Sequence, residues 1–269
     1  MVNQKAKASE NSSITQVSGV LIQQTGLSFT ECERLFNLLW QENFPKLEAK
    51  AIEIARNNVD ILSRMVYEKI ISSIDEINIE KLAQPDTQYA FNTAIQHVAR
   101  KGNKIDIETL AELLKERIKK DNNDYLENCI ESAIEMIPKL THKMLNSIAL
   151  IYFVNVVKVT NERLLEVFYR RISEVYLEQL SDITISELKQ IGVIGAAIYG
   201  INYSTMDTFS LLQDNRYSFL NIDNVQSKYP YFYKVINFFD EKKFHLLNLT
   251  TSGELIGSII LEKITDSMR

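Results

Sequence analysis

A mainly α-helical fold is what this sequence predicts, and three observations carry the expectation. Only 8 Gly and 4 Pro occur among 269 residues, against roughly 32 at average usage, which leaves too few turn formers for a sandwich or barrel. Apolar residues recur at three- and four-residue spacing over long stretches, as the buried face of a helix requires. Helix start and stop signals punctuate those stretches at regular intervals. With 45% hydrophobic residues the chain can bury a sizeable core. The expected architecture is a multi-helix bundle or stacked helical hairpins, with a short N-terminal β arm and a small C-terminal strand-plus-helix subdomain. Three parts follow: an N-terminal tail and arm over 1–27, a helical body over 28–182, and a C-terminal helical subdomain with a short strand over 183–269.

The arm is the segment 11–27, NSSITQVSGVLIQQTGL, where Ile14, Val17, Val20, Leu21 and Ile22 interleave with Thr and Gln. Ser18-Gly19 offers a hairpin turn. An isolated ribbon is marginal in water, and an unpaired edge recruits a partner. The arm is therefore expected to join copies of the chain. The alternative is a polar tail followed by a strand packed on its own body.

Helices begin at Ser28, where Ser28 and Glu31 have the spacing of a capping box. The first helix is expected to run to about Asn43 and to stop before Pro45. Leu47, Ala51, Ala55, Val59, Leu62, Val66, Ile70, Ile74 and Ile77 then describe a second, unusually long amphipathic helix. Such a helix either bridges subunits as a stalk or bends across the bundle that follows. Shorter helices are expected over 86–101, 106–120, 123–137, 141–157 and 162–180. Their punctuation is consistent: Pro85 in a first turn, Gly102 as a left-handed cap, Asp106 and Thr141 as N-caps, and Pro138 as an interruption.

Beyond Ser181 the texture changes. Thr184 and Glu187 make another capping box, and Ile191–Ile201 reads as a buried core helix despite Gly192, Gly195 and Gly200. Near the end, Phe244–Leu249 reads as a strand, and Thr251 and Glu254 as the capping box of a final helix. Gly253 and Gly257 share one face of that helix, where they permit a close backbone approach. A strand running into a capped helix has the look of a winged-helix ending, although residues 183–269 hold 8 Lys+Arg against 9 Asp+Glu. That balance, and a net charge of −5 for the whole chain, argue against nucleic acid as a partner.

The longest apolar runs, 148–157 and 191–201, fall short of the roughly 20 residues that span a bilayer, so no stable membrane insertion is expected. The N-terminus lacks the apolar stretch of a secretion signal, and the two cysteines, Cys32 and Cys129, lie 97 residues apart on apolar helix stripes. Buried thiols in a cytoplasmic protein are the reading.

Candidate chemistry is sparse. The three histidines, His97, His142 and His245, fall in different elements, and none has a second His or Cys one helical turn away. There is no phosphate-cradling Gly-rich loop, dinucleotide fingerprint, nucleophile elbow or zincin helix. No catalytic residue, metal ligand set or cofactor is therefore assigned, and the reading leans away from an enzyme.

The segments NSSITQVSGVLIQQTGLSFTE, PDTQYAFNTAIQHVARKG, AIEMIPKLTHKMLNSIALIYF and LTTSGELIGSIIL, in that order, resemble a family of bacterial proteins of similar length without an assigned activity. The resemblance implies a bacterial, cytosolic source and an accessory role of the mobile-element or phage-defence kind. It carries over no catalytic residues. The functional expectation is a non-enzymatic oligomeric interaction or scaffold protein. Its copies join through residues 11–27, and its body offers a groove to a protein partner. The alternative is a sensor of a small ligand or nucleotide signal, using Tyr199, Tyr203, Tyr217, Tyr229 and Tyr231, whose rings either stack on a base or fill the core.

Overall fold

In a computed structural model, residues 28–200 and 207–266 are described. The expected arm, with Ile14, Val17, Val20, Leu21 and Ile22, lies outside the described residues. The chain divides into two compact units, 1–52 and 53–269.

The described part of the first unit is helical. Helix α1 spans Phe29–Ser72, 44 residues, and so crosses the division between the units. The expected capping box opens it: the Ser28 amide donates to Glu31 Oε2 at 2.8 Å and the Glu31 amide to Ser28 Oγ at 3.3 Å. The break expected at Pro45 does not occur, and Pro45 stands inside the helix. Proline's fixed φ is itself helical, and it forfeits one intrahelical hydrogen bond. The apolar spacing of Phe36, Trp40, Phe44, Leu47 and Ala51 continues in phase across it, so a single helix keeps one face.

In the second unit the remainder of α1 buries Leu62 and Val66. The helix ends at Ser72, earlier than the apolar spacing to Ile77 implies. A 3₁₀ turn over Ile74–Glu76 follows, and Ile77 is instead buried in an extended segment bridged to Lys119. The Asn78 amide donates to the Ile118 carbonyl at 2.9 Å and the Lys120 amide to that of Glu76 at 3.0 Å.

The expected series of shorter helices then appears: α2 (Pro85–Lys101), α3 (Ile107–Arg117), α4 (Asp124–Met136), α5 (His142–Asn155) and α6 (Glu162–Tyr176). Asp106 caps α3 through the Thr109 amide at 2.9 Å, and Thr141 caps α5 through the Met144 amide at 3.2 Å. Gly102 takes a positive φ of 56° after α2. A further staple is ionic: Glu127 of α4 receives Lys81 Nζ at 2.8 Å and lies 2.5 Å from a guanidinium nitrogen of buried Arg117.

The capping box at Thr184 and Glu187 opens α7 (Ile185–Ile194). The core helix expected over 191–201 stops there, because Gly195 turns the chain at a φ of 96°. Residues Ala197–Tyr199 form strand β1. After α8 (Thr208–Asn215), α9 (Val225–Lys228) and α10 (Pro230–Glu241), the strand expected over 244–249 is shorter than expected. Phe244–Leu246 is a 3₁₀ turn, and only Leu247–Leu249 is strand β2. The two strands pair antiparallel, Ala197 with Leu249 and Tyr199 with Leu247.

The last helix, α11 (Thr251–Asp266), is capped by Thr250 rather than Thr251. The Thr250 hydroxyl accepts the Gly253 amide at 3.2 Å and donates to the Gly195 carbonyl at 2.9 Å. The close approach expected at its glycines is present: a Cβ on Gly253 would stand 1.8 Å from the Ala196 carbonyl oxygen, and one on Gly257 2.6 Å from the Tyr152 Cβ. α11 thus packs on α5 and α4 while α10 packs on α6. One hydrophobic core, from Leu62 to Leu261, joins the elements on both sides of residue 183.

Candidate functional site

Two features stand out, one in each unit. The first is the face of α1 within residues 29–52. At 3.6 residues per turn, Phe29, Phe36, Trp40, Phe44 and Leu47 fall on one stripe, with Leu39 beside it. All are exposed, Phe29 by 84%, Phe36 by 64%, Leu47 by 60% and Trp40 by 53%. The aromatic rings form a ladder one turn apart. Phe36 and Trp40 have centroids 6.2 Å apart and Trp40 and Phe44 4.8 Å, both stacked. Cys32, expected to be buried, is exposed near this face, whereas Cys129 is buried as expected. The periodicity that placed Cys32 on an apolar stripe is correct; the stripe is not covered.

The second feature is a cleft of about 420 Å³ between the C-terminal end of α5, α8, α10 and β2. Leu211, Leu212 and Phe239 supply its apolar wall, and Asn155, Thr208, Asn215, Arg216, His245 and Asn248 its polar groups. The Thr208 hydroxyl donates to the Asp240 carboxylate in a short hydrogen bond, and the same oxygen lies 3.4 Å from His245 Nδ1. Arg216 donates to the carbonyls of Val154 at 2.8 Å and Val157 at 3.3 Å, closing the end of α5. In this arrangement the carboxylate sits between hydroxyl and imidazole. The carboxylate thus fixes the orientation of both the hydroxyl and the imidazole.

The tyrosines of the ligand expectation are spread out, and none of the described ones lines this cleft. Tyr217 and Tyr229 are buried. Each ring stands about 6 Å from that of Phe219, at 5.9 and 6.1 Å. The Tyr217 hydroxyl accepts the Val159 amide at 3.2 Å. The Tyr229 hydroxyl donates to Glu162, and burial of that phenol raises its pKa. Tyr231 is half-buried beneath the Arg170 guanidinium, 5.7 Å from the ring centroid. Tyr199 lies on β1 under Lys189, also at 5.7 Å. Tyr203 lies outside the described residues. Among the described residues, no group of three or more His, Cys, Asp or Glu side chains is arranged to hold a metal ion. No helix there is long and apolar enough to cross a membrane.

Sequence reasoning missed the carboxylates of α6 that organise α10. Glu166 accepts the backbone amides of Tyr231 at 2.7 Å and Phe232 at 3.3 Å, so it caps a helix 65 residues away. A first turn that begins with Pro230 and lacks its own Ser, Thr, Asp or Asn cap is the one local hint.

Fold and surface together define a mainly helical protein with an uncovered aromatic helix face. A family model of uncharacterised-like proteins matches residues 26–221, and the chain belongs to that family, which has no assigned activity. The match takes in the whole of α1. No curated protein and no solved structure matches the chain.

Proposed function

We propose that this is a non-enzymatic interaction protein that works as an oligomer in the cytoplasm, with the second unit as its folded body and the first unit as its contact surface. The observation that supports it is the exposed stripe of Phe29, Phe36, Trp40, Phe44 and Leu47. Large exposed apolar patches mark sites of association, and an amphipathic helix with anchors at i, i+4 and i+7 is a standard recognition element. The arm over 11–27 adds a second contact between copies, and the bacterial accessory role implied by the family resemblance is kept as part of the reading.

The test is the solution mass of the full chain, by light scattering across a dilution series, beside a chain beginning at Ser28. An oligomer in both supports assembly through α1. An oligomer reduced to monomer by the truncation supports the arm. A full chain that stays at 31.0 kDa at every concentration overturns the proposal.

The cleft favours a second reading, a sensor for a small polar ligand held by Arg216, Asn155 and Asn248 above the Leu212 and Phe239 wall. It predicts a saturable rise in melting temperature with a nucleotide or amino-acid ligand. An unchanged melting temperature across such a panel removes it.

A further inference from the structure

We infer that the occupant of the α1 face is the same face of a second copy, running antiparallel and centred on Trp40. This rests on the oligomeric reading above and names the partner and register that it leaves open.

Area comes first. Taking roughly 200 Å² for a fully exposed Phe or Leu side chain and about 250 Å² for Trp, the exposures of Phe29, Phe36, Leu39, Trp40, Phe44 and Leu47 leave about 700 Å² per copy. That patch exceeds the largest a typical monomer shows, and two copies face to face would remove up to about 1,400 Å² from water, within the range of a specific interface.

Direction comes next. At 3.6 residues per turn, Arg34 and Glu48 share one flank of the stripe, Lys46 and Lys50 lie toward the other, and Glu33 falls within it between Trp40 and Phe44. With the two-fold axis at Trp40, antiparallel pairing sets Phe36 across from Phe44. It also brings Arg34 within one turn of the partner copy's Glu48, because antiparallel pairing sets the same flank of each copy together. In-register parallel pairing sets opposite flanks together and so brings Lys46 and Lys50 near the partner copy's Glu48, but it aligns the two helix dipoles. The antiparallel arrangement also opposes the two helix dipoles.

Cysteine cross-linking reads the register directly. Antiparallel pairing holds the two native Cys32 thiols roughly 24 Å apart along the axis, 16 residues at 1.5 Å each. In the Lys50→Cys variant, Cys32 of one copy comes within about 3 Å axially of the new thiol on the same flank of the other. Lys50→Cys leaves every apolar side chain of the face in place, and Cys129 is buried. The expected result is a dimer from mild oxidation of Lys50→Cys, and none from the wild type or from Lys50→Cys/Cys32→Ser. Cross-linking of the wild type through Cys32 would show a parallel pair and overturn the register. A dimeric mass without cross-linking in either chain would place the interface elsewhere and overturn the inference while leaving the oligomeric reading intact. A monomeric mass would overturn both.

Discussion

Replacing Gly253 with alanine would drive a methyl group into the backbone that precedes β1. The added Cβ would stand 1.8 Å from the Ala196 carbonyl oxygen and 2.9 Å from its carbonyl carbon. Both are main-chain atoms, so no rotamer change relieves the overlap. α11 must retreat by about 1.5 Å to restore ordinary contact. That retreat strains the Thr250 anchor, whose hydroxyl donates to the Gly195 carbonyl at 2.9 Å and whose amide donates to the Ala196 carbonyl at 3.1 Å. Overpacking costs about 1–3 kcal/mol, and the strained hydrogen bonds add about 1 kcal/mol each. Alanine's better helix propensity returns about 1 kcal/mol. The expected net loss is about 2–4 kcal/mol, read as a lower midpoint in urea unfolding with an unchanged slope. Gly257→Ala meets the Tyr152 Cβ at 2.6 Å and the Ile148 carbonyl oxygen at 3.2 Å, both longer than the 1.8 Å approach at Gly253, and should cost less, about 1–2 kcal/mol. A Gly253→Ala protein as stable as wild type, or a reversed order of the two variants, would refute the packing argument.

Three further predictions follow from the same body. Glu166→Ala leaves the Tyr231 and Phe232 amides without their acceptor, and should lower stability by about 1–2 kcal/mol in urea unfolding; Glu166→Gln, which keeps an acceptor oxygen, should recover part of the loss. Glu127→Ala strips the counter-charge from buried Arg117 and from Lys81, and should cost about 3–5 kcal/mol, visible as a drop of more than 5 °C in melting temperature. Burial opposes ionisation of Glu127, Asp106 and Glu112, but the hydrogen bonds and cations around them outweigh it and hold each carboxyl below its ordinary value. Because the folded values are the depressed ones, their stabilisation is complete above about pH 4.5 and is lost as pH falls through the folded values. A melting temperature flat from pH 6 to about pH 3 would contradict the assignment.

Much of the helical framework was legible because its signals are local. Ser28 with Glu31, Asp106, Thr141, and Thr184 with Glu187 each bond an amide or carboxylate within three residues, a range that sequence spacing reports directly. Pro45 misled because its local signal is a stop, while the phase of Phe36, Trp40, Phe44 and Leu47 around it argues for continuity. The adjacent threonines 250 and 251 are alike as residues, and the carbonyls of Gly195 and Ala196, 55 and 54 positions away, select Thr250 as the cap. Strand β1 is three residues long and finds its partner some fifty residues later, so its apolar side chains read as helix.

The surface features were less legible still. Periodicity states which residues share a face, and it grouped the apolar residues of α1 correctly from Leu47 onward. It does not state whether that face is covered, which depends on what packs against it. The polar cleft draws Asn155, Thr208, Arg216, His245 and Asn248 from four separate elements, so no spacing connects them. Composition alone gathers the tyrosines, whereas Tyr217 and Tyr229 are core residues with hydrogen-bonded hydroxyls.

The exposed α1 face as an assembly surface is the central claim, and sedimentation velocity on the full chain beside its Phe36→Glu/Phe44→Glu variant tests it most directly. Both side chains are exposed, so the variant should keep its helical circular dichroism and melting temperature while two charges per copy enter the interface. The account predicts a dimer, twice 31.0 kDa, for the wild type and a folded monomer for the variant. An equally dimeric, equally folded variant would contradict it.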